Sequence, residues 1–245
     1  GVAIHELTPE ERAAFARAMA PLADKFAFEV GYDLLAKTEE IRFRQALARG
    51  DRPLVIGLDA DLSKGGSQAG GAIYRGVQLA VEEINGQGGL LGRPVRLLAM
   101  DHGANPVAGR QNIQRFAEIP GLVGVVGGMH SSVVVEELPD IHQLKIPYLV
   151  PWAAGMAVVD NGQEPNYVFR VSVNDHLVSP LLLERAVKEG GRVIVFLENS
   201  AWGRSNEAVL RPLIDRLPAG TVKTEWVSVS DPSLAPRVQA LVAQP

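Results

Sequence analysis

Two hydrophobic patterns alternate along most of the chain. Short apolar runs are typical of buried strands, and stretches with apolar residues three or four positions apart are typical of amphipathic helices. The runs predict strands at residues 54–58, 95–100, 122–126, 148–150, 167–173, 193–197 and 222–229. The other pattern predicts helices at residues 73–84, 106–117, 131–143, 175–189, 204–217 and from 234 onward. This alternation indicates the α/β class, with parallel sheets flanked by helices on both faces.

The first fifty residues follow a helical pattern alone. Thr8 and Glu11 have the spacing of a capping box, so a helix is expected to begin there. An apolar stripe follows at Phe15, Met19, Leu22 and Phe26. Pro21 lies within this stripe and is expected to kink the helix or split it in two. A second helix is predicted to run to about Ala48, so residues 1–50 form a helical arm.

Composition and charge exclude several classes of protein. The 245 residues are 47% hydrophobic, which is enough to form a packed core and argues against a disordered chain. The net charge is −4 and there is no basic stripe, so we expect no nucleic-acid partner. Without cysteine there is no disulfide, thiolate metal site or cysteine nucleophile. No apolar run approaches the roughly 20 residues of a membrane span, and the first residues have no signal-peptide pattern.

Chemistry is expected in the loops that follow the strands, because ligands of parallel sheets bind beyond the carboxyl ends of the strands. These loops are residues 59–70, 101–106, 127–132, 151–160 and 198–204. The glycines of residues 65–71 lack the spacing of a dinucleotide or P-loop motif, and indicate a flexible loop instead. No two of the five histidines are four positions apart, which argues against a metal site. We therefore expect no cofactor and no metal.

Ser131 lies at a strand-to-helix turn and has three interpretations. With His130 beside it, Ser131 could be a hydrolytic nucleophile, although the chain has no G-x-S-x-G elbow. Ser131 or Ser132 could instead be only a helix N-cap. In the third interpretation, a hydroxyl and free N–H groups at a helix N-terminus bind an anion such as a carboxylate.

Two tryptophans follow other predicted strands. Trp152 comes after the fourth strand and Trp202 after the sixth, each among small residues. Both are expected to lie in loops. Each is either a core side chain or part of the wall of a ligand cavity.

Several segments, in order, carry a resemblance to a known family. They are RGVQLAVEEIN at 75–85, GG at 88–89, LGRPV at 91–95, VVGG at 125–128, SS at 131–132, IPY at 146–148 and FR at 169–170. Trp202-Gly203 stands where the family usually has Tyr-Gly. Residues 54–245 resemble the type I periplasmic substrate-binding proteins of branched-chain amino acid (Leu/Ile/Val) ABC transporters.

The resemblance implies two lobes, 54–171 and an incomplete 172–245, that close on a ligand by a hinge. Ser131 and nearby amides, with Ser132, would hold the carboxylate of the ligand. The remaining implied binding residues are Trp152, Ala153, Ala154 and Trp202. It also implies a non-enzymatic solute-binding protein outside the cytoplasm. Its partners would be a small ligand (amino acid, amide or small carboxylate) and a membrane permease.

The chain also departs from the family pattern. Ala154 stands where the family commonly has a threonine, Ala69 where an aromatic often reaches the ligand, and Trp152 where the family has a small residue. These departures indicate a ligand other than a generic α-amino acid, for example an aromatic or amide-like carboxylate. The family continues past Pro245, including an acidic residue for the ammonium group of the ligand, so we expect the chain to be part of a longer protein.

The helical arm and the function each leave an alternative open. Residues 6–15, ELTPEERAAF, and the helices after them resemble the C-terminal tail of TRAP transporter substrate-binding proteins. The alternative is a plain amphipathic arm. For function, there are two alternatives: a ligand-sensing domain of a membrane receptor or regulator, and a small α/β enzyme. A flanking membrane span with a kinase or cyclase domain would indicate the sensing domain. No loop combines a nucleophile, a base and an orienting group, which disfavours the enzyme.

Overall fold

Parallel strands form two sheets in the computed structural model, which describes residues 7–63, 67–228 and 231–243. The strands are β1 (Leu54–Ala60), β2 (Val95–Asp101), β3 (Leu122–Gly127), β4 (Tyr148–Val150), β5 (Val168–Arg170), β6 (Val193–Glu198) and β7 (Val222–Val227). The larger sheet has the order β2-β1-β3-β4-β5, and β6 pairs with β7 in the smaller sheet.

Helices flank both sheets, as the sequence predicts. They are α1 (Pro9–Val30), α2 (Tyr32–Ala48), α3 (Ser67–Gly86), α4 (Pro106–Ala117), α5 (Ser131–Gln143), α6 (Asp175–Lys188), α7 (Ala201–Ile214) and α8 (Leu234–Val242). A single 3₁₀ turn at Met156–Val158 was not predicted. The prediction of an α/β fold with parallel sheets is confirmed. Gly65 and Gly66 of the predicted loop, and the end of the last predicted strand, lie outside the described residues.

The predicted split of the helix at Pro21 is wrong, while a kink there stays a prediction. Helix α1 runs without interruption through Pro21, and the chain turns instead at Gly31, whose φ of 94° no helix can accommodate. A proline inside a long helix removes one hydrogen bond, and the remaining bonds hold the helix together. Three more helices continue through Pro139, Pro180 and Pro212. The capping box is confirmed, since Thr8 Oγ1 accepts from the Glu11 N–H at 3.2 Å.

Gly70 and Gly71 are not part of a flexible loop, because α3 already begins at Ser67. At Gly71 an added Cβ would lie 2.3 Å from the ring of Tyr32. Tyr32 is almost fully buried on α2, so α2 and α3 approach each other closely at this glycine. Small residues here serve close packing of helices, not mobility.

The helical arm differs along its length. Helix α2 packs against the edge strand β2, and its Tyr32, Ala36 and Phe43 belong to the buried cores on the two faces of the larger sheet. Helix α1 leaves Phe15 and Met19 exposed. The division of the chain into arm and lobes stays a prediction, as does the resemblance of the arm to a TRAP binding protein.

The order of strands places a topological switch point between β1 and β3. From β1 the chain crosses to β2 on one side, and later strands add on the other side from β3 onward. In open parallel sheets the ligand crevice lies at such a point, beyond the carboxyl ends of the strands. Here these ends are Ala60 and Gly127. In the described part of the chain no helix is both long and apolar enough to span a bilayer.

Candidate functional site

A cavity of about 590 Å³ lies between the carboxyl edge of the larger sheet and the first residues of α6 and α7. The loop after β3 and the start of α5 form one wall, the loop after β4 forms the floor, and residues around β6 and α7 form the opposite wall. The lining residues are Met129, His130, Ser131, Ser132, Pro151, Trp152, Ala153, Ala154, Ser172, Val173, Asp175, Glu198, Ser200 and Trp202.

The N-terminus of α5 opens into this cavity without a side-chain cap. The N-cap residue is His130, and its side chain makes no capping hydrogen bond. Ser131 and Ser132 are the first two helical residues, so their N–H groups have no partner within the helix. The interpretation of either serine as an N-cap is therefore wrong.

The Ser131 hydroxyl is buried and connects two loops. Its Oγ accepts from the Gly155 N–H at 3.3 Å. A serine hydroxyl that accepts one hydrogen bond still has its own hydrogen to donate. Ser131 is thus a remaining donor beside the free amides of α5, and together they form a site suited to a carboxylate.

The loop after β4 is held rigidly. The Ala153 N–H donates to the Gly128 carbonyl at 2.7 Å, and Ala153 is 2% exposed. The guanidinium of Arg170 donates to the Gly155 carbonyl at 2.9 Å. These bonds fix the backbone of the floor. Trp152 is not a core residue, because 57% of it is exposed at the cavity.

Trp202 lies in the first turn of α7, not in a loop as predicted. The hydroxyl of Ser200 caps this helix by accepting from the Gly203 N–H at 3.2 Å, so the helix starts earlier than the apolar pattern indicates. The Trp202 indole Nε1 donates to Asp175 Oδ2 at 2.5 Å. Asn206 donates to the same oxygen at 2.7 Å. The indole is therefore held in one orientation at the cavity wall.

A polar pair of one buried acid and one partly exposed histidine lies at the switch point. Asp61, which is 1% exposed, has its Oδ2 3.3 Å from Nε2 of His130. The ring of His102 stands nearly perpendicular to that of His130, with centroids 5.8 Å apart. Burial, together with the neighbouring His130, lowers the pKa of His102 to about 4, so His102 is neutral near pH 7.

Two fully buried carboxyl groups lie beneath the cavity. Asp59 at the end of β1 and Glu137 on α5 are within hydrogen-bonding reach of each other. Asn112 donates to Asp59 Oδ1, and the Tyr148 hydroxyl donates to Glu137 Oε2, both at 2.7 Å. The other oxygen of each acid finds no donor among the described residues. Burial raises the pKa of both acids, and that of Asp59 far above its usual range, so the pair favours holding a proton.

Residues 53–244 match a family model described as periplasmic binding protein. The chain belongs to this family. Among curated proteins no match is found. The family match and the solved structures described next confirm the type I periplasmic binding protein fold that the sequence resemblance implies.

Solved structures of periplasmic binding proteins have the same fold. The branched-chain amino acid binding protein LivJ of Streptococcus pneumoniae, in complex with isoleucine, has a TM-score of 0.68 at 19% identity, over 79% of this chain and 55% of LivJ. A solute-binding protein of Rhodopseudomonas palustris, in complex with 3,4-dihydroxybenzoic acid, has a TM-score of 0.66 at 19% identity, over 78% and 52%. LivK of Thermotoga maritima, a leucine-binding protein, has a TM-score of 0.64 at 20% identity, over 78% and 53%. The chain thus spans about half the length of these proteins.

All six residues predicted to bind ligand in this periplasmic binding protein line this cavity. They are Ser131, Ser132, Trp152, Ala153, Ala154 and Trp202. The sequence analysis did not select Asp175 and Glu198, although Glu198 ends a strand. The available signal was that Glu198 begins the predicted post-strand loop of residues 198–204. Asp175 had no such signal, because its role depends on Trp202, which is 27 residues away.

The arrangement does not support hydrolysis. Within the described ranges no hydrogen bond joins His130 to Ser131, since Nε2 of His130 faces Asp61 and Ser131 Oγ faces Gly155. No group of three potential metal ligands occurs in those ranges either. Ser131 therefore lacks the adjacent base that nucleophilic catalysis needs.

Proposed function

We propose that this periplasmic binding protein captures a small carboxylate between its two lobes, outside the cytoplasm, and delivers it to an ABC transporter. The observation that carries the proposal is the composition of the cavity. One wall presents the uncapped N-terminus of α5 with Ser131, and the opposite wall presents Trp202. A ligand that contacts both walls favours the closed state, because it binds that state more tightly than the open one.

The carboxylate of the ligand is assigned to the α5 end. Two free N–H groups and the Ser131 hydroxyl converge there, and the positive end of the helix dipole favours an anion. The opposite wall carries two acids, Asp175 and Glu198. Their negative charge repels a carboxylate, so the acidic wall orients the anionic end of the ligand toward α5.

The body of the ligand is assigned to the space between Trp152 and Trp202. Each indole is large, apolar and about half exposed, and a ligand would remove both from water. Two of the similar proteins were solved in complex with isoleucine and with 3,4-dihydroxybenzoic acid, each of which carries one carboxylate. Two indoles facing a cavity of about 590 Å³ favour a planar aromatic carboxylate over a compact aliphatic one.

Ser131→Ala is expected to weaken binding of a carboxylate by roughly 1–3 kcal/mol, the scale of a hydrogen bond to a charged group. The ligand is first identified by a thermal-shift screen of amino acids, amides and aromatic carboxylates. In that screen a ligand at about 100 times its dissociation constant adds about 2.7 kcal/mol of stability. Calorimetry then compares the variant with the native protein.

The matched control is Ser233→Ala, which removes an exposed hydroxyl at the start of α8, outside the cavity. It is expected to leave the dissociation constant unchanged. Equal affinity of the Ser131→Ala variant and the native protein would contradict the assignment of Ser131. If no carboxylate stabilises the protein, capture of a carboxylate is itself refuted.

A further inference from the structure

The His130 side chain occupies the cavity wall but has no part in the carboxylate site. Its ring is about one-third exposed and lines the cavity. Asp61, which holds it, is buried at the carboxyl end of β1. A buried carboxylate that orients a half-exposed histidine is an arrangement seen in sites where one ring nitrogen must present a defined proton state.

Asp61 determines which ring nitrogen of His130 carries the hydrogen. A carboxylate oxygen can only accept, so Nε2 of His130 donates to Asp61 Oδ2. In the neutral ring the other nitrogen, Nδ1, is then an acceptor. Nδ1 makes no hydrogen bond to any residue of the described ranges, and so it is available to a ligand.

The surroundings of His130 select a neutral donor on the ligand. His102, the aromatic neighbour behind it, is neutral near pH 7 and adds no charge. Asp61, on this side, is buried behind the ring and accepts from Nε2, and the acids that line the cavity, Asp175 and Glu198, lie on the opposite wall. A neutral acceptor on the α5 side therefore fits a hydroxyl group better than an ammonium group.

We infer that His130, held by Asp61, is a specificity-determining residue that accepts a hydrogen bond from a ring hydroxyl of an aromatic carboxylate. The inference rests on the proposed function, because the carboxylate at α5 places the ring between the indoles. It goes further, since it names a hydroxyl on the ligand and the residue that recognises it. The ring hydroxyl donates to Nδ1 of His130, whereas an unsubstituted ring leaves Nδ1 without a donor.

The test compares benzoate with 3,4-dihydroxybenzoate by calorimetry, with leucine as a third probe. The native protein is expected to bind the dihydroxy compound about five- to tenfold more tightly than benzoate, the range of one net hydrogen bond. His130→Phe keeps a ring but removes the acceptor, so the ratio of the two dissociation constants is expected to fall to about one. His130→Asn restores an acceptor oxygen near the position of Nδ1 and is expected to recover the preference.

The matched control is His176→Phe, at an exposed histidine on α6 outside the cavity, which is expected to retain the native ratio. If His130→Phe lacks a cooperative thermal transition, His130→Ala replaces it. A native protein that binds benzoate or leucine without preferring the hydroxyls, or a His130→Phe variant that keeps the preference, would overturn this inference and leave the proposed function standing. Binding of none of the three probes would overturn both.

Discussion

Replacing Gly203 with alanine is expected to lower the free energy of unfolding by more than about 4 kcal/mol, an exceptionally large effect for one methyl group. Gly203 lies in the first turn of α7, where the helix packs closely against the end of β6. An added Cβ would lie 1.8 Å from the carbonyl oxygen of Glu198 and 2.8 Å from its carbonyl carbon. Both are backbone atoms, so no side-chain rotation relieves the clash, and α7 must move away from β6.

The same movement would displace the neighbouring Trp202. Its hydrogen bond to Asp175 at 2.5 Å would break, and the cavity would lose the wall that α7 forms. Loss of ligand binding is therefore expected together with the loss of stability. Urea unfolding followed by circular dichroism measures the first effect, and calorimetry measures the second.

Gly76→Ala provides a matched control within the same protein. Gly76 is also helical, on α3, and an added Cβ there meets no atom within 4 Å. Because alanine favours helix over glycine, this variant is expected to be as stable as the native protein or up to about 1 kcal/mol more stable. A Gly203→Ala variant that unfolds within 1 kcal/mol of the Gly76→Ala variant would contradict the close approach of α7 to β6.

The native protein is expected to lose stability as pH rises from 5 to 8, and Glu137→Gln is expected to make this loss smaller. Burial raises the pKa of Asp59 and of Glu137 in the folded state above their values in the unfolded chain. The folded state then holds a proton that the unfolded state releases. Stability is therefore fully present below the unfolded pKa values and falls as pH rises, by up to about 1.4 kcal/mol per pH unit for one proton.

A glutamine at position 137 satisfies the same partners without a proton. Its amide N–H can donate to Asp59, and its amide oxygen can accept from the Tyr148 hydroxyl. The native protein and the variant are compared by urea unfolding at pH 5, 6, 7 and 8. We expect a falling curve for the native protein, a flatter curve for the variant, and a more stable variant at pH 8.

Glu136→Gln is the control for this comparison, because Glu136 precedes Glu137 on α5 but is exposed. It removes one negative charge from the same helix and is expected to keep the native slope. Parallel curves for the native protein and Glu137→Gln would show that the acids share no proton. A Glu137→Gln variant that is destabilised equally at every pH would indicate a packing role only.

The sequence predicted the strands β1 to β4 well, and β1 is buried on both faces. Their apolar runs are continuous and end at turn residues, so the predicted and observed bounds of β1 to β4 differ by two residues or fewer. The site followed from the same pattern, since the carboxyl ends of parallel strands meet at one edge of a sheet. The same rule predicts positions for Ser131 and Trp152 at this edge, and both line the cavity.

Pairs of residues far apart in the chain were beyond sequence analysis. Asp61 and His130 are 69 residues apart, and only the pairing of β1 with β3 brings them together. Asp175 and Trp202 meet because α6 packs against α7. Neither contact has a periodic signal. Local rules also failed at Pro21, where the remaining hydrogen bonds of a long helix continue past the proline, and at Gly71, where close packing against Tyr32 decides.

The two indoles of the cavity have a practical consequence for following ligand capture. The chain has three tryptophans. Trp152 faces the cavity from its floor and Trp202 from the wall that α7 forms, and Trp226 lies on β7. Indole emission depends on contact with water and on hydrogen bonds to the ring nitrogen. A ligand that removes both indole rings from water would therefore change the intrinsic fluorescence. Ligand binding could then be followed by tryptophan fluorescence, without an attached dye.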